Sequence, residues 1–381
     1  MIQEVHKLMS LGPHLDKKRL NAFLVNAYCS GRGGLLACLR MAVGKIRLKD
    51  VAEKAGVAVN TASTILNKRP NSWASKETEK RVFDAAKELG YRPNRAAVAL
   101  QSGRFMTIGL LIADLDNPYY THFSEVFGNQ IEEKGYDLLI ENWRTDLERE
   151  KKLLADMVHR NVDGVVAFVS DVDEHREFLE SQTAAGFPIV VLGMPGEDGG
   201  KLDLVTPNFL QGLDEAARRL HELGHRKYTF LSAKSGGQRV GGRPSIFKGI
   251  IDGFGDSSVE IKDCGPTISE ARERGLEILD REDRPTAVVA LNDLTAFGIM
   301  RAAKDLGLRI PEDVSVVGVD GIPMAEQLIV SLSTVAQQHE EMAAKAIEFL
   351  LTRIESKEVL PPQVASFPTN FIERESVGPV S

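Results

Sequence analysis

The sequence has few cysteines, and they are widely spaced. Only Cys29, Cys38 and Cys264 occur among 381 residues, and no CxxC pair is present. Isolated cysteines of this kind argue against a zinc site or a disulfide framework, and are typical of buried or incidental thiols in a reducing compartment. We therefore expect no metal, no cofactor and a cytoplasmic location.

Long apolar runs and catalytic motifs are also missing. No stretch of about 20 apolar residues occurs, which is the length needed for a membrane-spanning helix. GxSxG, GxxxxGK[ST] and HExxH are absent, so nothing predicts an enzyme. The glycine-rich segment SGGQRVGGR, residues 235–243, lacks the lysine of a phosphate loop and is better interpreted as a flexible loop at the edge of a cleft.

Charge is unevenly distributed along the chain. The net charge is −7, yet residues 45–104 contain 13 Lys/Arg and 6 Asp/Glu, a balance of +7. Residues 1–44 carry +4, which leaves −18 for the remainder. A basic module joined to an acidic body indicates that only the module meets a polyanion. Residues 1–44 match a signal peptide poorly, and we expect an extension without order or sequence upstream of a start at Met41.

Residues 48–67, LKDVAEKAGVAVNTASTILN, have the pattern of two short helices joined by a tight turn. Gly56 breaks the first helix, and the second begins near Val59 with Ala62 and Ile65 on its inner face. This is the pattern of a helix-turn-helix, whose second helix enters the DNA major groove. A third helix is predicted over 75–90, with Ser75 as its N-cap and Gly90 at its end. We place the DNA-binding domain at 45–91.

The following segment, YRPNRAAVALQSGR, is short, alanine-rich and basic, and by itself forms at best a marginal helix. We interpret residues 92–104 as a hinge that becomes ordered on binding. From Met106 the pattern changes to apolar strands alternating with amphipathic helices, which indicates parallel sheets covered on both faces. About ten strands favour two α/β subdomains with a cleft between them over 105–375, a break near 206–208, and a tail over 376–381.

At this point the sequence resembles the LacI/GalR family of bacterial transcription regulators. The resemblance covers residues 46–375 and rests on ordered segments that include LKDVAEKAGVAVNTASTILN, ELGYRPNRAAVAL, IGLLIADLDNPYY and RPTAVVALNDLTAFGIMRAAKDLGLRIPEDVSVVGVDG. It implies an N-terminal all-α helix-turn-helix domain plus hinge, followed by an α/β periplasmic-binding-protein-like core of two parallel-sheet subdomains. It also implies a homodimer that binds a pseudo-palindromic operator and a small metabolite, with repression as the expected outcome.

The family positions for DNA contact can be carried over residue by residue. Val59, Asn60 and Thr64 are expected to face base edges, with Asn60 suited to adenine and Val59 to a thymine methyl. Thr64 departs from the family pattern, which usually has a basic residue or His there, so strong guanine recognition is not expected. Thr61, Ser63 and Asn67 suit phosphate contacts, although helix capping also explains Ser63 and Asn67. In the hinge, the minor-groove positions are Asn94, Ala97 and Leu100.

The family positions for effector contact are polar or aromatic here: Tyr119, Tyr120, Asn208, Arg243, Asp293, Asp320 and Gln337. Such a set suits the hydroxyls of a sugar or polyol, and also accommodates a purine or an amino-bearing ligand. Asn208 and Asp293 have a second interpretation as helix caps. Two rival functions remain open from sequence: a solute-binding protein of a transport system, and a catalytic α/β protein with an appended DNA domain.

Overall fold

The computed structural model describes residues 46–67, 74–91, 103–193, 200–233, 242–356, 358 and 360–380. It divides the chain into two compact units, 1–102 and 103–381, which are described separately below. The N-terminal extension, Trp73 and the predicted hinge contacts Asn94, Ala97 and Leu100 lie outside the described residues.

The described residues of the first unit form three helices, α1 (Leu48–Ala55), α2 (Val59–Leu66) and α3 (Lys76–Leu89). Gly56 ends α1 in the left-handed conformation that glycine adopts without strain, and Ser75 caps α3 by accepting from the Thr78 N–H. One small core joins the three helices; its members are Val51, Ala52, Ala55, Ala62, Ile65, Val82, Ala85 and Ala86. The predicted helix-turn-helix and third helix are confirmed.

The second unit alternates strands and helices. In chain order its elements are β1 (Thr107–Ile112), α4 (Pro118–Glu133), β2 (Asp137–Asn142), α5 (Leu147–Val158), β3 (Gly164–Phe168), α6 (Val172–Ala184), β4 (Ile189–Leu192), β5 (Asp203–Asn208), α7 (Leu210–Glu222), β6 (Lys227–Ala233), α8 (Arg243–Phe254), β7 (Ser258–Cys264), α9 (Ile268–Leu279), β8 (Ala287–Val289), α10 (Asp293–Asp305), β9 (Ser315–Asp320), a 3₁₀ helix (Pro323–Gln327), β10 (Ser333–Ala336), α11 (His339–Glu355), β11 (Val364–Pro368) and β12 (Asn370–Ile372).

These strands form two six-stranded sheets, as the two-subdomain prediction requires. The first has the order β11-β5-β4-β3-β1-β2 and is parallel throughout. The second has the order β12-β10-β9-β8-β6-β7, in which only β12 pairs antiparallel. Strands such as β3 and β9 are buried along their whole length, because helices cover both sheet faces.

The chain crosses between the sheets three times: after β5, after β10, and between β11 and β12. The first crossover follows Asn208, in the region where the sequence predicted a break. Hydrogen bonds tie the crossovers together: the N–H and hydroxyl of Thr369 donate to the Asn208 carbonyl at 3.0 and 3.1 Å, and Gln338 Nε2 donates to the Pro368 carbonyl at 2.8 Å. The three connections therefore form one inter-subdomain hinge, which is separate from the hinge predicted over residues 92–104. Residues 376–380, assigned to a tail from sequence, pack on the second sheet, where Val377 is buried.

Two glycines in helices of the second subdomain are expected to respond in opposite ways to alanine. A Cβ at Gly298 of α10 would overlap the Ile268 carbonyl and lie 2.7 Å from the Ala271 Cβ, whereas a Cβ at Gly249 of α8 meets nothing within 4 Å. We expect Gly298→Ala to destabilise the protein by about 2 kcal/mol through overpacking. Gly249→Ala should stabilise it by up to about 1 kcal/mol through helix propensity. Urea unfolding of both variants measures the two signs, and a stable Gly298→Ala protein would contradict the close packing of α9 and α10.

Candidate functional site

The second helix of the DNA-binding unit presents the predicted base-reading residues on its outer face. Val59 is 43% exposed, Asn60 is exposed, and Thr61 and Thr64 are partly exposed. The helix sequence VNTASTIL contains no acidic residue. No carboxylate of this helix therefore repels a phosphate that approaches the positive end of the helix dipole. The arrangement suits contact with a polyanion.

Three polar side chains of α2 and its C-terminal end make internal hydrogen bonds. The Thr64 hydroxyl donates to the Asn60 carbonyl at 2.9 Å, and Asn67 Nδ2 donates to Ser63 Oγ at 3.3 Å. Asn67 is the C-cap of the helix. Ser63 keeps its hydroxyl hydrogen and Thr64 its acceptor lone pairs, so both can contact DNA while these internal hydrogen bonds persist.

In the second unit, polar and aromatic side chains collect where parallel strands end. Asp320 ends β9, Gln337 follows β10, and Tyr119 and Tyr120 begin the helix after β1. Carboxyl ends of parallel strands are the usual place for ligand binding in open α/β sheets. Because these residues come from both subdomains, they mark the cleft between the sheets.

A chain of hydrogen bonds crosses this cleft. The Tyr119 hydroxyl donates to Gln337 Oε1 at 3.2 Å, and Gln337 Nε2 donates to Asp320 Oδ1 at 2.8 Å. Tyr119 belongs to the first subdomain and Asp320 to the second, while Gln337 lies on the crossover between them. The structure thus brings three of the predicted effector residues into one network.

Arg243 lies at the N-terminus of α8. Burial raises the pKa values of Asp320, Tyr119 and Tyr120, and the nearby Arg243 guanidinium partly offsets this rise. Its Nη1 donates to the Leu291 carbonyl at 2.9 Å, and the guanidinium carbon lies 5.1 Å from the Phe209 ring centroid, a cation–π distance. Arg243 therefore stands in the cleft with its orientation fixed on two sides.

Asp320 has an unusual backbone and an unusual side-chain environment. Its φ of +117° lies in the region that favours glycine, a strain that is typical of functional sites. The side chain is nearly fully buried, and burial raises the pKa of Asp320 to about 8 against the opposing effect of Arg243. Such a carboxyl changes between its neutral and its ionised form near neutral pH.

Asp293, predicted to contact an effector or to cap α10, is not the cap of that helix. Asn292 is the N-cap, with its side chain accepting from the Thr295 N–H. Asp293 follows it and is fully buried: Oδ1 accepts from the Thr334 hydroxyl at 2.5 Å, and Oδ2 accepts from two backbone N–H groups. Its carboxylate is fully engaged behind the cleft wall, whereas Asn292, which the sequence reasoning missed, is partly exposed at the helix end.

Asn208 is exposed at the first crossover rather than in the hydrogen-bond network. Its Oδ1 accepts from the Leu210 N–H at 3.1 Å, but the N-cap of α7 is Phe209, so the interpretation of Asn208 as the helix cap is wrong. Its carbonyl accepts from Thr369, so this residue also joins two crossovers. A ligand contact by Asn208 would compete with the start of α7.

The cleft also has an aromatic wall that the sequence reasoning only partly identified. Phe168, at the end of β3, lies edge-on to Tyr119 and Tyr120, with centroid distances of 5.8 and 5.2 Å. Trp143 Nε1 donates to the Phe168 carbonyl at 3.2 Å and is therefore a natural fluorescent reporter of this wall. The sequence signal for Phe168 was weak, because a Phe at the end of a buried strand has the same pattern as any other core residue.

Two histidines lie on the side of the cleft next to the inter-subdomain hinge. The buried His339 ring is 5.1 Å from Tyr119 and 5.2 Å from His122, and its Nε2 has no hydrogen-bond partner. Burial and the neighbouring His122 lower the pKa of His339 to about 4, so it is neutral at neutral pH. Within the described ranges, no group of three or more His, Cys, Asp or Glu residues is arranged to hold a metal ion. No helix of the described part of the chain is long and apolar enough to span a membrane.

Comparisons with known proteins agree with this architecture. A model of the bacterial regulatory proteins of the lacI family matches residues 47–94, and a periplasmic binding protein-like domain matches 217–377. The HTH-type transcriptional repressor PurR of Erwinia tasmaniensis is 32% identical over 343 residues, which cover 87% of this chain and 96% of the relative.

Solved structures show the same fold. The transcriptional regulator CelR in its cellobiose complex has a TM-score of 0.62 and 26% identity, covering 87% of this chain and 100% of the other. The lac repressor dimer bound to operator and the anti-inducer ONPF has a TM-score of 0.74 over 88% of this chain and 100% of the other; at 22% identity it shows the fold alone. A transport binding protein is not favoured, because the relatives are regulators with the same DNA-binding domain. The chain belongs to the LacI family of bacterial transcriptional regulators, as a repressor-type protein with a helix-turn-helix domain and an effector-binding core.

Proposed function

We propose that this regulator binds a sugar or polyol in the cleft, and that the bound effector changes its affinity for operator DNA. The observation that carries the proposal is the Tyr119–Gln337–Asp320 network, which joins both subdomains through the hinge. The hydroxyl groups of a ligand can donate hydrogen bonds to Asp320 and accept them from Arg243. The apolar face of its ring can pack against Tyr120 and Phe168. The cellobiose bound to CelR is a ligand of this class.

The proposed mechanism is a two-state change in the angle between the subdomains. A ligand that contacts both sides favours one angle over the other, and this difference in affinity is the only source of the shift. Coupling between two sites is typically about 1–3 kcal/mol and is reciprocal, so operator DNA must change effector affinity by the same factor. We infer no enzymatic activity and propose that the protein acts in the cytoplasm.

Self-association is the second part of the proposal. Ile268, Met324 and Ile329 of the second subdomain are 42%, 53% and 101% exposed, which is unusual for large aliphatic side chains unless a partner covers them. We propose a homodimer, whose twofold symmetry then requires a pseudo-palindromic operator. Analytical ultracentrifugation of the full chain measures the state directly.

Base recognition is proposed to rest on Val59, Asn60 and Thr64, with Thr61, Ser63 and Asn67 on phosphates. The first three offer a methyl contact, an adenine pairing and a weak hydroxyl, and none is a guanine-reading arginine. The operator should therefore favour A·T pairs at the positions that these side chains reach. Affinity selection of genomic fragments by the full-length protein, followed by sequencing, tests this preference.

The hinge positions Asn94, Ala97 and Leu100 are proposed for the minor groove, with Leu100 as an apolar wedge between base pairs. Wedges of this kind unstack a step and bend the duplex so that more protein surface meets DNA. We expect Leu100→Ala to weaken binding to the selected operator by about tenfold or more, since a few kcal/mol are exchanged at each wedged step. Effector affinity should not change. Gel-shift titration measures the effect, and equal operator affinity of variant and wild type would refute the wedge.

The effector class is tested by a thermal-shift screen of the full-length protein against D-ribose, cellobiose, lactose, glycerol, adenine and guanine. A ligand of the native state raises the unfolding temperature in a concentration-dependent way. Quenching of Trp143 in a Trp73→Phe background reports binding at the aromatic wall. A shift caused only by the nucleobases would overturn the sugar assignment while leaving the regulator assignment intact.

A further inference from the structure

Asp293 accepts hydrogen bonds from the backbone that directly follows Asp320. Its Oδ2 accepts from the N–H groups of Gly321 and Ile322, both at 2.8 Å, and these residues directly follow Asp320. Its Oδ1 accepts from Thr334 on β10. A Cβ at position 318 would overlap Oδ1, so Gly318 is what allows the carboxylate to lie against β9.

Asp320 is held from the other side by Gln337, whose backbone N–H donates to the Asp320 carbonyl at 3.1 Å and whose side chain holds Oδ1. Gly321 has a φ of +79°, and a Cβ there would lie 2.6 Å from the Ala336 Cβ. Hydrogen bonds to Gln337 on one side and to Asp293 on the other hold the Asp320 backbone in its strained conformation.

The charges around this pair are unbalanced. Asp320 faces Arg243 from α8, Asp293 from α10, Gln337 from the crossover, and Tyr119 and Tyr120 from α4. Asp293 faces the Thr334 hydroxyl and two backbone N–H groups, with Arg374 as its cation. Burial raises the pKa of Asp293 to about 7, and the Asp293 charge further raises the pKa of Asp320.

We propose that Asp293 is a positioning residue that locks the Asp320 backbone and, through its charge, sets the protonation state of the Asp320 carboxyl. The two carboxyls then titrate as a coupled pair. Resting on the proposed function, this adds a regulation: a ligand that donates hydrogen bonds to Asp320 binds the ionised form more tightly than the neutral form, so its binding releases a proton near neutral pH.

The test needs neither effector nor operator. Full-length protein labelled with [4-¹³C]aspartate is titrated by carboxyl NMR, and Asp320→Asn and Asp293→Asn assign the two resonances. In the wild type we expect both resonances to show two titration steps, because each carboxyl senses the other.

Asp293→Asn removes the charge while keeping the scaffold. Asparagine Oδ1 can accept from Gly321 and Ile322, while its amide donates to the Thr334 hydroxyl, which then acts as an acceptor. We expect the Asp320 titration midpoint to fall by at least about one pH unit. Slow exchange of the Gly321 and Ile322 amides checks that the backbone is intact. The matched control is Glu341→Gln, an exposed carboxyl in the first turn of α11, which should leave the midpoint unchanged.

A one-step titration of Asp320 in the wild type, with a midpoint that Asp293→Asn does not move, would overturn the proposal. A merely structural Asp293 would alter amide exchange without moving this midpoint. Because no ligand or DNA is present, either result stands whether or not the cleft binds a sugar.

Discussion

Arg353→Met is expected to destabilise the core by about 3–5 kcal/mol, because it leaves a buried carboxylate without its partner. Asp203 at the start of β5 is fully buried, and Arg353 Nε and Nη2 donate to its two oxygens at 2.6 and 2.7 Å. The same guanidinium donates to the carbonyls of Leu360 and Pro361 at 2.7 and 2.8 Å. One side chain thus fastens α11, the segment leading to β11, and β5.

The matched control is Arg309→Met, which breaks an exposed pair with Asp313 at four-residue spacing. Exposed pairs of this kind contribute about 0–1 kcal/mol. Urea unfolding followed by Trp143 fluorescence in a Trp73→Phe background reports the core alone. Replacing both partners, as Arg353→Met with Asp203→Leu, should recover part of the loss, since an apolar pair needs no solvation. If both single variants lose the same small amount, Asp203 is not the buried, dependent charge described here.

The parts of the fold that follow short-range rules were predictable from sequence. Gly56 and Ser75 carry local backbone signals for helix ends, and the spacing of Val51, Ala52 and Ala55 shows the buried face of α1. Continuous apolar runs such as residues 164–168 indicate buried strands directly. Each of these signals depends on neighbours within a few residues.

Less predictable were the strands and contacts that depend on distant partners. The edge strands β7, β11 and β12 have mixed burial because one face or one edge is open, so their sequences give weak patterns. The pairing of β11 with β5 joins segments about 160 residues apart, and the Arg353–Asp203 pair spans 150. No local pattern specifies which arginine meets which aspartate.

Within the cleft, residue type was a good guide to location but a poor guide to role. Tyr119, Gln337, Asp320 and Arg243 come together as the resemblance implied. The interpretation of Asp293 as the helix cap was wrong, because an Asn-Asp pair at a helix start offers two candidates and only the folded backbone decides which of them is the cap. In this chain Asn292 caps the helix and Asp293 turns inward, where Gly318 leaves room for it.

The largest effect on function is expected from Asp320→Asn. Truncating one partner of a buried, charge-assisted hydrogen bond costs about 2–5 kcal/mol, which is roughly three-hundredfold in the dissociation constant at the middle of that range. We expect this loss for whichever compound of the screening panel binds the wild type, measured at pH 9 by Trp143 quenching. Glu341→Gln is again the control, since it removes an exposed carboxylate from the first turn of α11.

The pH dependence of that affinity separates a lost charge from a lost shape. Burial raises the pKa of Asp320 to about 8, and a hydrogen-bond donor binds the carboxylate more tightly than the neutral carboxyl. Wild-type affinity should therefore fall as pH decreases through 8, by up to about tenfold per pH unit, because the proton must first be removed. Asparagine cannot ionise, so the variant should bind with the same weak affinity from pH 6 to pH 9, and the two curves should converge at low pH. Parallel curves for the two proteins would show that the ligand does not depend on the Asp320 charge, and would move the site of hydrogen bonding elsewhere in the cleft.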